Sequence, residues 1–278
     1  MSDAAPAAVG DQLPPYYVTA YNSAAASENK IHDDTVARQY GFRGGLVPGV
    51  TVFAYMVPPA LSFLGREWLA AGKMNARFVQ PVYEGDRVES TGQVRRDDAI
   101  REVSLELRDS AGNACGTGGA SFGEPLSAPS LADFPLADLP DEREPVSEEA
   151  LRSREILGAL EATYDRENVE AYLREIGDED ELWRGEEAPS HPGFLVRWAN
   201  TILAQNVRLD PWIHVSSDVE LHGTLRWGEA FTTRGRVTEL FERKGHRFVR
   251  LDVLLHAADE RPIMRVDHTA IYAIRKNE

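Results

Sequence analysis

The chain has 278 residues, 42% of them hydrophobic, enough to bury one large core or two ordinary ones. Its 45 Asp and Glu against 30 Lys and Arg give a formal net charge of -15, which removes the attraction that non-specific nucleic-acid or anionic-membrane binding needs. The single cysteine, Cys115, excludes an intramolecular disulfide and a Cys-based zinc site, and suggests a reducing cytoplasm.

Residues 1–14 lack a basic region followed by an apolar run, so they read as a flexible leader rather than a signal peptide. No uninterrupted apolar stretch is long enough to span a bilayer. The segment ASENKIHDDTVARQYGFRGGLVPG, Ala26 to Gly49, combines a polar cluster, a short helix and a glycine-rich turn. From Gly49 a helix is expected that is apolar around its circumference, through Val50, Val52, Phe53, Ala54, Tyr55, Met56 and Val57, with Pro58 and Pro59 stopping it. A helix without a polar face must be enclosed.

The segment from Ala76 to Val94 lies over that from Val219 to Val237, with Gly85 on Gly228, Asp86 on Glu229 and Gly92 on Gly235. Both read as two alternating strands around a Gly-acid turn. Upstream, VPGVTVFAYMV from Val47 has a counterpart in HPGFLVRWANTIL from His191. Prolines at 125, 129, 135, 140 and 145 forbid a continuous helix or central strand between the two copies. The expected domains are 15–123 and 151–278, joined by a linker over 124–150. Each is an α+β unit in which a curved antiparallel sheet wraps one buried helix, and the two sheets join edge to edge.

These residues resemble the MaoC-like hotdog-fold (R)-specific enoyl-CoA hydratases, including their double hotdog members. Asn29, Ile31, His32 and Asp34 match the family's Asn-Pro-Leu/Ile-His-any-Asp loop, Gly41 and Phe42 its Gly-Phe, and Gly49 the glycine of its His-Gly-Met. PVYEGDRV is similar to its Pro-Val-any-any-Gly-Asp turn. Two positions depart: Ser27 stands where the family has its catalytic aspartate, and Pro48 where it has the histidine of His-Gly-Met. In the second half, Asp178 falls in the aspartate's register and Trp183 in the histidine's.

The resemblance implies a water-adding or water-removing enzyme on α,β-unsaturated acyl thioesters, carried on coenzyme A or acyl carrier protein. It implies no cofactor and no metal, and leaves a homo-oligomer open. His32 would be the acid or base near neutral pH, with Glu28, Asn29 or Ser27 orienting the water. The amides at Gly49 and Val50 would meet the thioester oxygen. A hotdog thioesterase using Glu28 to activate water is the alternative, as is a non-catalytic acyl-binding or partner subunit, favoured by Ser27 and Pro48. On its residues alone, His32 reads as a histidine just before a helix capped by Asp33 or Asp34, with Asn29 closing a turn. The acidic run around Asp178 reads as a solvated loop, and His191 as lining a second tunnel or starting a helix. His214, His222, His246, His256 and His268 lack metal-ligand spacing and receive no chemistry.

Overall fold

The computed structural model describes residues 7–275. Its first half contains β1 (Tyr16–Thr19), α1 (Asp34–Gln39), α2 (Gly49–Tyr55), α3 (Val57–Leu64), α4 (Trp68–Ala71), β2 (Gly72–Phe78), β3 (Arg87–Asp97), β4 (Arg101–Arg108) and β5 (Ala114–Phe122). The rest supplies α5 (Glu148–Ser153), β6 (Ile156–Tyr164), α6 (Arg166–Ile176), α7 (Pro192–Asn206), β7 (Ile213–Leu221), β8 (Glu229–Arg243), β9 (His246–Ala257) and β10 (Pro262–Ala273).

The strands form one ten-stranded sheet in the order β1-β3-β4-β5-β2-β7-β10-β9-β8-β6, and every pairing within it is antiparallel. The two five-stranded halves repeat one order and meet through β2 and β7, where Lys73 pairs with Glu220 and Arg77 with Ser216. Each half covers its sheet with buried helix: Val52, Phe53, Ala54 and Tyr55 of α2, and Phe194, Val196, Ala199 and Leu203 of α7. Gly193 lets α7 approach α2 closely, since a Cβ there would sit 2.7 Å from that of Ala54. The Gly-acid turns form as expected, with Gly85 and Gly228 in the positive-φ region that glycine tolerates best.

Two details depart from the sequence expectations. Pro58 and Pro59 open a new helix instead of stopping one: α2 is capped at Met56, and the prolines occupy the first turn of α3, where a missing N–H costs no helical bond. Of the expected leader, residues 1–6 lie outside the described residues. Further on, the Gly10 and Leu13 amides donate to Val94 and Gly92 of β3, and the Leu13 side chain is buried, so this stretch is anchored. The proline-rich segment crosses the outer face of the second half with Phe134 buried against the guanidinium groups of Arg236 and Arg265. Among the described residues no helix is long and apolar enough to cross a membrane.

Candidate active site

His32 ends a single 3-10 turn, Lys30–His32, whose N-cap is Asn29. Asp33 then caps α1 through bonds to the Thr35 and Val36 amides. The Asp34 carboxylate accepts from the Gly45 amide at 2.8 Å, pulling the glycine-rich turn under the loop. A side chain at Gly45 would collide with the His32 carbonyl, which explains the need for glycine there. Buried Ile31, Ala37 and Leu46 pin the same loop with a small core of their own.

This scaffold fixes the imidazole. Nδ1 lies 2.6 Å from the Leu46 carbonyl, an acceptor only, so Nδ1 carries the proton of the neutral ring. Nε2 is then the basic nitrogen, 3.2 Å from the Asn29 amide nitrogen. Burial lowers the pKa of His32 from its ordinary value, against the opposing pull of the Leu46 hydrogen bond. Asn29 also bonds to the backbone of Trp212 in the second half, donating to its carbonyl at 3.0 Å and accepting from its amide at 3.2 Å.

His32 stands between two cavities. The first, about 390 Å³, reaches Gly49 and is walled by Phe42, Leu46, Val52, Phe78, Val82 and Phe248. Its polar lining includes Arg77, Arg243, Lys244, His246 and His214, with no Asp or Glu lining it among the described residues. In so acidic a chain, that absence of carboxylates favours an anionic ligand with an apolar portion. The second cavity, about 380 Å³, is lined by Ser27, Glu28, Thr51, Arg143, Glu175 and Arg197 together with His32 and Asn29.

The remaining candidates divide. Gly49 lines the first cavity and Val50 the second. The Pro48 carbonyl accepts from the Thr51 and Val52 amides, so the Gly49 and Val50 amides precede the first helical bond. Gly49 also has a packing reason to be glycine, because a Cβ would lie 2.8 Å from Nδ1 of His214. Glu28 is mostly solvent-exposed, and its two carboxylate oxygens accept from the Arg143 guanidinium at 2.9 and 3.2 Å, which lowers its pKa. Ser27 donates a weak 3.4 Å bond to the Asn29 carbonyl.

In the second half the corresponding place is filled. Asp178 is buried, contrary to the solvated loop expected, because it accepts 2.9 Å hydrogen bonds from the Trp183 indole and the Asp180 amide, with His191 at 3.6 Å. These neighbours hold its carboxyl below the usual range even though burial opposes ionisation. Asp178 is therefore engaged with its own loop. His191 starts α7, its Nδ1 accepting from the Gly193 amide at 2.9 Å. The Tyr172 hydroxyl covers Gly193, and a Cβ there would collide with it.

Sequence reasoning missed Trp212, Arg143 and His214, each brought to the first-half site from later in the chain. The one available signal was the basic hairpin Arg243-Lys244-Gly245-His246 in an acidic protein.

No protein-family model and no curated protein matches the sequence. Solved structures match the fold. A MaoC domain protein assigned as a dehydratase, from Chloroflexus aurantiacus J-10-fl, superposes with a TM-score of 0.65 at 12% identity over 96% of each chain. A double hotdog protein from Mycobacterium tuberculosis, essential for bacterial survival during infection, gives 0.66 at 12% identity over 95% of this chain and 96% of its own. A protein assigned as a thioesterase, from Novosphingobium aromaticivorans DSM 12444, gives 0.56 at 14% identity over 92% of this chain and 94% of its own. At such identities the likeness concerns architecture, and it extends over nearly the whole of both halves. The chain has the double hotdog fold, shared with MaoC-like dehydratases.

Proposed function

We propose that this protein is a MaoC-like hydratase or dehydratase acting on α,β-unsaturated acyl thioesters in the cavity between His32 and Gly49. The observation that carries this reading is the fixed tautomer of His32: with Nδ1–H committed to Leu46, the lone pair is on Nε2, held only by the 3.2 Å contact with the Asn29 amide at the wall of a cavity that extends to Gly49. The lowered pKa keeps that nitrogen unprotonated at neutral pH, as a base requires.

In hydration, water takes the place of the Asn29 amide at Nε2, which accepts a proton from it while the water oxygen bonds to the β carbon. The electrons of the double bond move toward the carbonyl, giving an enolate, and the imidazolium returns the proton to the α carbon. The Gly49 amide donates to the oxygen on which charge develops. Dehydration is the same path reversed. Asn29, which lines the same cavity, orients the water through the N–H it frees from Nε2, in place of a carboxylate, so turnover is expected to be slow for the fold. The basic residues around the cavity, Arg77, Arg243 and Lys244, suit the phosphates of coenzyme A or of a carrier-protein prosthetic group.

The thioesterase reading is weaker because Glu28, its water-activating group, is held by Arg143. Crotonyl-CoA and saturated butanoyl-CoA, assayed side by side, test the proposal. Hydration of the first without hydrolysis of the second is expected. Release of free thiol from both would replace the hydratase with a thioesterase, and binding without turnover would leave an acyl-binding subunit.

A further inference from the structure

Arg197 of α7 is half-buried and lines the second cavity, where Asn200, Thr201 and Ala204 continue the same helix face. Its guanidinium carbon lies 3.9 Å from the centroid of the Phe194 ring and 5.5 Å from that of Tyr172. Ring faces attract the cation, but they offer its N–H donors no lone pair. Among the described residues, no group accepts a hydrogen bond from the Arg197 side chain and no carboxylate forms an ion pair with it, and its nitrogens are not among the polar atoms sealed in the interior. A ligand in the cavity can reach them.

The other charged groups of this cavity are engaged differently. Arg143 donates to both carboxylate oxygens of Glu28 and, at 2.9 Å, to the Ala204 carbonyl. Glu175 is half-buried, and burial raises its pKa against the opposing charge of Arg197. That attraction acts at a distance and satisfies none of the guanidinium N–H groups. Burial also pulls the pKa of Arg197 down, but a guanidinium keeps its charge at neutral pH. The second cavity therefore presents one cation whose donors are unclaimed.

We propose that the second cavity is a carboxylate-binding site in which Arg197 is the cation. The planar fork of a guanidinium matches the two oxygens of a carboxylate. With a single free cation and Glu175 close to it, a singly charged group fits better than a phosphate dianion. The volume of about 380 Å³ and the apolar lining of Val50, Leu209 and Trp212 leave room for a short carbon chain. The carboxylate belongs either to a free organic acid or to the far end of an acyl group. His32, Asn29, Pro48, Asn200 and Trp212 line both cavities, so an acyl group at His32 lies next to Arg197's cavity. This second source rests on the acyl-thioester reading above; the first does not.

Calorimetric titration with three probes separates the sources. Glutarate is a free acid, while glutaryl-CoA and pentanoyl-CoA carry acyl chains of equal length with and without a distal carboxylate. If the carboxylate ends an acyl group, glutaryl-CoA should bind wild type about 10-fold or more tighter than pentanoyl-CoA, and Arg197→Met should abolish the difference. If it belongs to a free acid, glutarate should bind wild type saturably and about 10-fold or more weaker in Arg197→Met, with the two thioesters alike. Glu175→Gln removes the nearby competing carboxylate and should tighten whichever ligand binds, a reading that survives if Arg197→Met does not fold. Wild type that neither binds glutarate nor prefers glutaryl-CoA would overturn the proposal, as would a preference or affinity unchanged in folded Arg197→Met, or one not tightened in Glu175→Gln. Pentanoyl-CoA binding would in those cases leave the thioester reading standing. Glutarate bound by a wild type that binds neither thioester would uphold the site and remove that reading.

Discussion

Asn29 and Trp212, 183 positions apart, exchange two hydrogen bonds, and the same Asn29 amide nitrogen reaches Nε2 of His32. The first-half loop is thus registered against the second half at the point where the proposed base sits. Asn29→Ala strands the Trp212 groups and should destabilise the protein by about 1–3 kcal/mol in urea unfolding. Asn29→Asp can still accept from the Trp212 amide, but it places a carboxylate beside Nε2. That favours imidazolium, so the pH at which activity falls on acidification should move upward. Superimposable pH–rate profiles for wild type and Asn29→Asp would contradict this placement of the ring.

Much of this arrangement was legible in sequence. The internal match of Gly85 with Gly228 and of the two Pro-Gly helix starts anticipated the duplicated sheet, because those signals are local and repeat in order. The loop around His32 was readable for the same reason, since capping by Asn29 and Asp33 is local chemistry. Trp212 and His214 were not readable, because only the pairing of β2 with β7 brings them to the first half. Asp178 was misread because a string of acidic residues does not disclose that one of them turns inward to meet Trp183.

Gly49→Ala should expose the tight contact with His214. A methyl group would press on Nδ1 and Cγ, atoms of a ring wedged between His268 and Phe78, so the ring cannot simply swing aside. A loss of about 1–3 kcal/mol in stability is expected by denaturant titration. A variant as stable as wild type would show that the ring has room to move.

Glu28→Gln should leave both the thermal midpoint and the turnover of any thioester substrate nearly unchanged, because the exposed carboxylate is engaged only with Arg143. Loss of thioester hydrolysis in this variant would instead revive the thioesterase reading. Ser27→Asp should raise enoyl-thioester hydration by supplying the missing carboxylate. An unchanged rate in a folded Ser27→Asp protein would show that the loop does not hold that position near the reacting water.

Acid should weaken the fold through its buried neutral histidines. His268 is pushed down to about 3 by burial, from an ordinary 6.5. Below pH 6.5 the unfolded chain takes up a proton that the folded chain refuses, so stability falls with pH down to about 3. The slope approaches about 1.4 kcal/mol per pH unit for such a group. Denaturant titrations at pH 7.5, 6 and 5 should show a shallower loss for His268→Gln than for wild type. Parallel losses would mean that His268 does not remain neutral in the folded protein.

The most direct test of the central claim is the rate of crotonyl-CoA hydration by wild type and His32→Gln, with folding of the variant verified by near-ultraviolet circular dichroism. If His32 is the acid–base group of an acyl-thioester site, wild type hydrates crotonyl-CoA and the substitution lowers the rate by about 10²–10⁴-fold. Equal rates in the two proteins, or a wild type that neither binds nor hydrates the thioester, would contradict it.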